Sequence, residues 1–202
     1  MSLIDTILES STCYAIWSAF FNAEKIKAIK LSLPDLKAKK VLDLGCGPAT
    51  NTKIFLEADY TGIDINPRYI EKAKGAYPQF QFFTQSILAL ELKGQKYDVI
   101  LMNSIIHHLS DFEVTKLFTD LKSYLKPGGT IILSEPLLPT PKDGFKYYMM
   151  RLDRGRHFRT YEGYCSLFDK YFLIQEKREY NLKVCGLILT VARMLVLRLT
   201  QK

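Results

Sequence analysis

The chain has 202 residues, 48% of them hydrophobic and 24% charged, with a formal charge of +7. These proportions belong to a globular protein of one well-packed domain, spanning 1–202, and exclude a low-complexity or disordered chain. The four cysteines (Cys13, Cys46, Cys165, Cys185) are widely spaced, so neither a disulfide framework nor a metal centre is expected.

The opening "MSLIDTILES" is acidic where a signal peptide would be basic, which points to the cytoplasm. Residues 1–33 read as an N-terminal helical cap, apolar in "YAIWSAFF" and charged in "NAEKIKAIK", broken by Pro34 and Asp35. A regular alternation follows. "KVLDL" predicts a strand, "TNTKIFLEA" a helix, "YTGIDI" a strand and "PRYIEKAKGA" a helix. "QFQFFTQ" and "YDVILMN" are further strands, and "DFEVTKLFTDLKSYL" carries apolar residues at helical spacing. "KPGG" then turns the chain into the strand "TIILSEP". Strands separated by helix-length segments predict an α/β fold, a doubly wound and mostly parallel sheet with helices on both faces.

From 136 to 160 the pattern lapses into a proline-rich and then basic segment, expected to form a lid over the substrate. "YEGYCSLFDKYF" resumes as a helix, and "FLIQEKREY" and the tail "VCGLILTVARMLVLRL" finish as strands. A spanning helix needs ~20 apolar residues, and this tail is shorter and interrupted by Arg193. It is expected to be buried strand, with contact to a membrane surface as the alternative.

The glycine turn in "VLDLGCGPAT" is informative for what it lacks. A dinucleotide fingerprint would need glycine where Thr50 stands, and a phosphate loop would need a Gly-Lys-Ser/Thr ending. Asp43, two places before Gly45, would repel a pyrophosphate but suits a cofactor that presents a cation. The ammonium of S-adenosylmethionine is such a group. Asp64, about twenty residues on, ends the second strand where a carboxylate accepts from ribose hydroxyls, while Asn66 and Pro67 already start the next helix.

With "HHL" at 107–109 and "LKPGGT" at 125–130, these features resemble a class I S-adenosylmethionine-dependent methyltransferase of the small-molecule type. The resemblance implies a seven-stranded Rossmann-like sheet ending in an antiparallel hairpin, with S-adenosylhomocysteine as product. It implies that Asp43, Gly45, Cys46, Gly47 and Asn51 line the methionine half and Asp64 and Ile65 the ribose. It further implies that Ser86 and Ile87 flank the adenine, Asn103 lies near the methionine amine, and Tyr14 folds over from the N-terminal cap. Ala49 and Ser86 stand where the family often has glycine and aspartate.

Methyl transfer demands alignment and exclusion of water more than acid–base work, although a hydroxyl or amine acceptor also gives up a proton. His107, His108 and His157 are the only histidines, and all fall in segments expected at the carboxyl edge of the sheet. His108, and less so His107, are the candidates for proton transfer, with a structural imidazole as the alternative. The lid carries six basic residues against two acidic ones, which suggests an acceptor bearing an acidic group. Its expected contacts are Tyr147, Arg154, Arg156, His157 and Arg159. Tyr148 and Trp17 are further candidates for an aromatic wall.

Base-modifying enzymes are disfavoured, since "NSIIHH" stands where an Asp/Asn-Pro-Pro-Tyr/Phe clamp would lie and no Pro-Cys pair exists. No DNA partner is expected. RNA, protein or lipid acceptors and a non-catalytic cofactor-binding module stay open as alternatives.

Overall fold

The computed structural model describes residues 23–92, 94–153, 155–183 and 190–202. The expectations placed on Tyr14, Trp17 and Arg154 lie outside the described residues, as does the first part of the apolar tail. Seven strands form one sheet: β1 (Lys40–Leu44), β2 (Asp59–Asp64), β3 (Gln81–Thr84), β4 (Tyr97–Asn103), β5 (Leu125–Pro136), β6 (Phe172–Lys183) and β7 (Thr190–Gln201), in the order β3-β2-β1-β4-β5-β7-β6. β1 to β5 run parallel, whereas β7 pairs antiparallel with both β5 and β6. This is the expected doubly wound sheet with a terminal hairpin.

Alternate residues of the central strands feed opposite cores, as the two-residue period of a strand requires. On one face Leu42, Ile100 and Ile131 pack with Val114, Leu117 and Phe118 of the long helix Asp111–Tyr124. On the other face Val41, Leu101 and Ile132 meet Ala28 and Ile29 of helix 23–32, and Ile70 and Ala73 of helix Pro67–Ala76. In chain order these helices are α1 (23–32), α2 (Pro67–Ala76) and α3 (Asp111–Tyr124). The sequence marks two of their starts. Asn66 accepts from the Arg68 N–H ahead of Pro67, and Ser110 and Glu113 form a reciprocal capping box.

Two expected helices are shorter than the pattern predicts. "TNTKIFLEA" gives only a 3-10 turn, Thr52–Phe55. Asn51 makes no side-chain cap there, Thr52 and Ile54 are poor helix formers, and β2 begins at Asp59. "YEGYCSLFDKYF" holds one short helix, Tyr161–Cys165, before turning into β6. The described part of the tail, from Thr190, is strand as expected, with Val191, Met194, Leu195, Val196, Leu197 and Leu199 buried.

The insertion leaves the carboxyl end of β5 and is tied shut at its neck. Leu137 and Arg159 form a β-bridge, and the Leu138 N–H donates to the Arg159 carbonyl at 2.8 Å. Helix α4 (Phe145–Leu152) lies within it, and Met149 packs on Leu182, Val191 and Met194 of the terminal hairpin. The short helix Tyr161–Cys165 that follows is α5.

Candidate active site

The carboxyl ends of β1, β2 and β4 converge on the glycine turn. Gly45 and Gly47 have φ of 76° and 57°, the left-handed region that glycine enters freely. Gly45 is also crowded, since a Cβ there would lie 2.9 Å from the Ile105 side chain. Ala49 holds a left-handed φ of 64° at the position where a glycine would be unstrained. The turn is stitched to β2 by the N–H groups of Gly45 and Cys46, which both donate to the Ile63 carbonyl.

Two carboxylates flank this turn. Asp43 is 3% exposed and receives a 2.7 Å hydrogen bond from the Tyr60 hydroxyl, which in turn accepts from Thr52 Oγ1 at 3.2 Å. Burial pushes the Asp43 carboxyl up to about 7; the Tyr60 hydrogen bond opposes that rise and the Asp64 carboxylate adds to it. Asp64 accepts from the Gly47 N–H at 2.9 Å and the Asn66 N–H at 2.8 Å, and burial raises its pKa against those bonds. Asp43 is thus a buried acid whose charged form burial disfavours. Asn51 Oδ1 is buried with no hydrogen-bond partner among the described residues, and a buried acceptor of that kind calls for a donor.

The remaining expected cofactor residues are mixed in setting. Cys46 is buried, with its Sγ where a Cβ on Gly62 would clash at 2.9 Å, and burial raises its thiol pKa. It fills space under the turn. Ile65 is exposed beyond the end of β2. Ser86 Oγ accepts from the Leu88 N–H at 3.2 Å, and Ile87 packs against the core. Asn103 ends β4, and its Oδ1 accepts from Ser104 Oγ at 3.4 Å.

The histidine segment is organised by a residue that the sequence reading missed. Glu135, fully buried near the end of β5, accepts the N–H groups of Ile105 and Ile106 at 2.8 and 2.9 Å. Its other oxygen lies 2.6 Å from His107 Nδ1, while His107 Nε2 faces Asp153 Oδ1 at 3.5 Å. Burial alone would lower the His107 pKa, but the Glu135 and Asp153 carboxylates outweigh it and hold it up at about 9. Asp153 is correspondingly held down at about 2, contact with the imidazolium overcoming its own desolvation. A ring charged at neutral pH, 2% exposed and flanked by two carboxylates, is not a proton acceptor. The expectation of proton transfer at His107 therefore gives way to a structural role. The His107 carbonyl accepts the N–H groups of Arg156 and His157, and Gly155 lies so close that a Cβ would meet the ring at 2.1 Å. His108 is exposed beside it, the two ring centroids 4.2 Å apart.

Arg159 also proves to be internal. At 8% exposure its guanidinium donates to the carbonyls of Ile106, His157 and Leu109 and to Asp111. Its five donors are directed at the chain, so it staples the neck of the insertion to the histidine segment and has none left for an acceptor. This replaces its expected role as an acceptor contact. The side chains of Arg156 and His157 are exposed, and Tyr147 on α4 is half-buried. Lys25 lies in the charged stretch "NAEKIKAIK". Its Nζ donates to Ser104 Oγ at 3.0 Å just past β4, and burial lowers its pKa.

Comparison with known proteins agrees with this geometry. A family model described as a methyltransferase domain matches residues 19–186. Trans-aconitate 2-methyltransferase of Klebsiella pneumoniae is 34% identical over 123 residues, covering 57% of this chain and 47% of that protein. An uncharacterized protein of Haemophilus influenzae is 30% identical over 128 residues, 57% of this chain and 50% of its own. The chain thus spans about half the length of the curated relatives it matches. Among solved structures, the N-methyltransferase NodS from Bradyrhizobium japonicum, in complex with S-adenosylhomocysteine, superposes with a TM-score of 0.72 at 16% identity, covering 90% of this chain and 87% of that one. A putative S-adenosylmethionine-dependent methyltransferase from Listeria monocytogenes gives 0.68 at 22% identity, covering 90% and 99%. With the turn, the strand-end carboxylates and the sheet order in place, the chain belongs to the methyltransferase-domain family.

Proposed function

We propose that the chain transfers a methyl group from S-adenosylmethionine to a small molecule, on oxygen or nitrogen, in an acceptor that carries an acidic group. The observation that carries the first half is Asp43, a buried carboxyl supported among the described residues by a tyrosine hydroxyl, beside a turn that has no phosphate-binding pattern. The residues fit the cofactor: Asp43 and Asn103 receive its ammonium, Asp64 and Ile65 its ribose, and Ser86 and Ile87 its adenine. Asn51 Oδ1 gains the donor it lacks, and Gly45, Cys46 and Gly47 form the floor. Tyr14 belongs to the same proposal.

S-adenosylmethionine supplies a methyl on a sulfonium, and the carbon–sulfur electron pair stays on sulfur as the acceptor's lone pair takes the methyl carbon. The chain's own task is to align that lone pair and keep water out, which suits a lid over residues 136–160. His108 takes the proton that a hydroxyl or amine acceptor gives up; a carboxylate acceptor has none to lose. The acidic acceptor draws support from the basic lid and from the relative whose name gives trans-aconitate as its substrate.

The test is methyl-labelled S-adenosylmethionine incubated with the protein and a host extract split into small-molecule, lipid, protein and nucleic-acid fractions. Label in the small-molecule fraction is expected. Label confined to lipid, protein or RNA would overturn the acceptor class, and cofactor binding without label in any fraction would make the chain a non-catalytic binding module.

A further inference from the structure

A cavity of about 120 Å³ lies between the lid helix α4 and the terminal hairpin. Its apolar wall is made by Leu137, Met149, Met150, Phe158, Leu182 and Val191. Four charged side chains also line it, and three are cations: Lys25, Lys146 and Arg193, against Asp153. The acid is already committed, accepting from the Gly155 N–H at 2.7 Å and facing the His107 ring.

The two ends of the cavity differ. Lys25 marks the inner end, because its Nζ bonds Ser104, the residue after β4. Ile105, next along, packs against Gly45 of the glycine turn. The inner end therefore shares a wall with the site of the cofactor. Lys146 and Arg193 mark the outer end, where Arg193 is 57% exposed and both cations act on the carboxylate of Asp143. Neither is tightly paired. Lys146 stands 3.7 Å from Asp143, whose Oδ2 is held by the Thr140 N–H and hydroxyl, and Arg193 stands 3.8 Å from Glu179.

We infer that this cavity is the acceptor site, and that it takes a small carboxylic acid with an apolar body. The acidic group lies between Lys146 and Arg193, the body along the methionine and aliphatic wall, and the methyl-accepting atom beside Lys25 and Ser104. The inference rests on the proposed methyltransferase reading and sharpens it. Selectivity for an acid comes from Lys146 and Arg193 rather than from the lid arginines that the sequence singles out. The apolar wall disfavours a compact acid with several carboxylates, which would leave charge against Leu182 and Val191 without a partner.

The experiment measures binding of hexanoate and of hexanamide, two probes of nearly equal shape that differ in charge, to the full chain loaded with S-adenosylhomocysteine. Hexanoate is expected to bind about tenfold tighter than the amide, the scale of a charge-assisted contact near a surface. In Lys146→Met/Arg193→Met that preference is expected to vanish while S-adenosylhomocysteine affinity stays within about twofold. Equal binding of the two probes, binding of neither, or a preference that survives both substitutions would overturn the inference and leave the methyltransferase reading standing. Failure of the native chain to bind S-adenosylhomocysteine would overturn both.

Discussion

The two halves of the sheet edge treat buried charge in opposite ways. Around the glycine turn, burial makes both Asp43 and Asp64 costly to ionise, the Asp64 carboxylate adds to the cost at Asp43, and Asp43 has one hydroxyl for support. Around the histidine segment the buried charges are matched among the described residues: Glu135 and the His107 ring face each other with the exposed Asp153 beside the ring, and Arg159 meets Asp111 and three carbonyls. An unmatched buried charge costs several kcal/mol and persists where a ligand completes it, whereas a matched set holds the fold. The first half holds carboxylates that burial makes costly to ionise. The second ties the 136–160 segment to the sheet edge.

The largest expected effect breaks the matched half. Arg159→Ala strands three carbonyls at the neck of the insertion, and should cost about 2–4 kcal/mol in denaturant unfolding. A loss under about 0.5 kcal/mol would mean that the neck does not depend on this guanidinium. The unmatched half should respond in the opposite sense. Asp43→Asn keeps the shape and removes the charge, so S-adenosylhomocysteine affinity should fall roughly 100-fold, the scale of a buried charged hydrogen bond. The unliganded chain should be no less stable above pH 7, because an unfavourable charge has gone. Undiminished affinity would remove Asp43 from the ammonium site.

A pH titration of stability sharpens the contrast. The His107 pKa in the folded chain is raised to about 9, so its contribution is complete below the free-imidazole pKa of ~6.5 and is lost as pH rises through about 9. Stability should decline by roughly 2–3 kcal/mol across that window. His107→Gln should flatten the decline. A native profile that is flat from pH 6.5 to 9 would show that the ring is not held as the cation.

What could be read in the sequence follows the same division. Asp43 and Asp64 stand out because a carboxylate ending an apolar strand beside a glycine turn is a local anomaly. Glu135 presents the same anomaly in "TIILSEP", yet its meaning lies with a histidine 28 residues earlier in the chain. Lys25 reads only as one charge in a charged stretch, and Arg159 as an acceptor contact, because their actual partners are a serine 79 residues away and main-chain carbonyls. Hydrophobic periodicity carries the sheet, since each central strand is apolar on both faces. It misses the 3-10 turn at Thr52–Phe55, where the residues are apolar enough for a helix but the span before β2 is too short.

The smallest effect isolates what Tyr60 does for the unmatched half. Its ring packs among Phe55, Phe80 and Phe82, and Phe would keep those contacts. The hydroxyl alone links Thr52 to Asp43. Tyr60→Phe should therefore cost only about 1 kcal/mol of stability. Its clearer mark is on pH. A cofactor that presents a cation requires Asp43 ionised, so binding releases a proton below about pH 7 and affinity rises with pH up to that point. Because the Tyr60 hydrogen bond favours the carboxylate, removing it raises the Asp43 pKa further, and the midpoint of the affinity profile should move upward. At high pH, where Asp43 is ionised in both proteins, the variant should bind within severalfold of the native chain. An unchanged midpoint would show that the hydroxyl only fills a hydrogen bond. An upward shift would show that Tyr60 sets the pH at which the cation site opens.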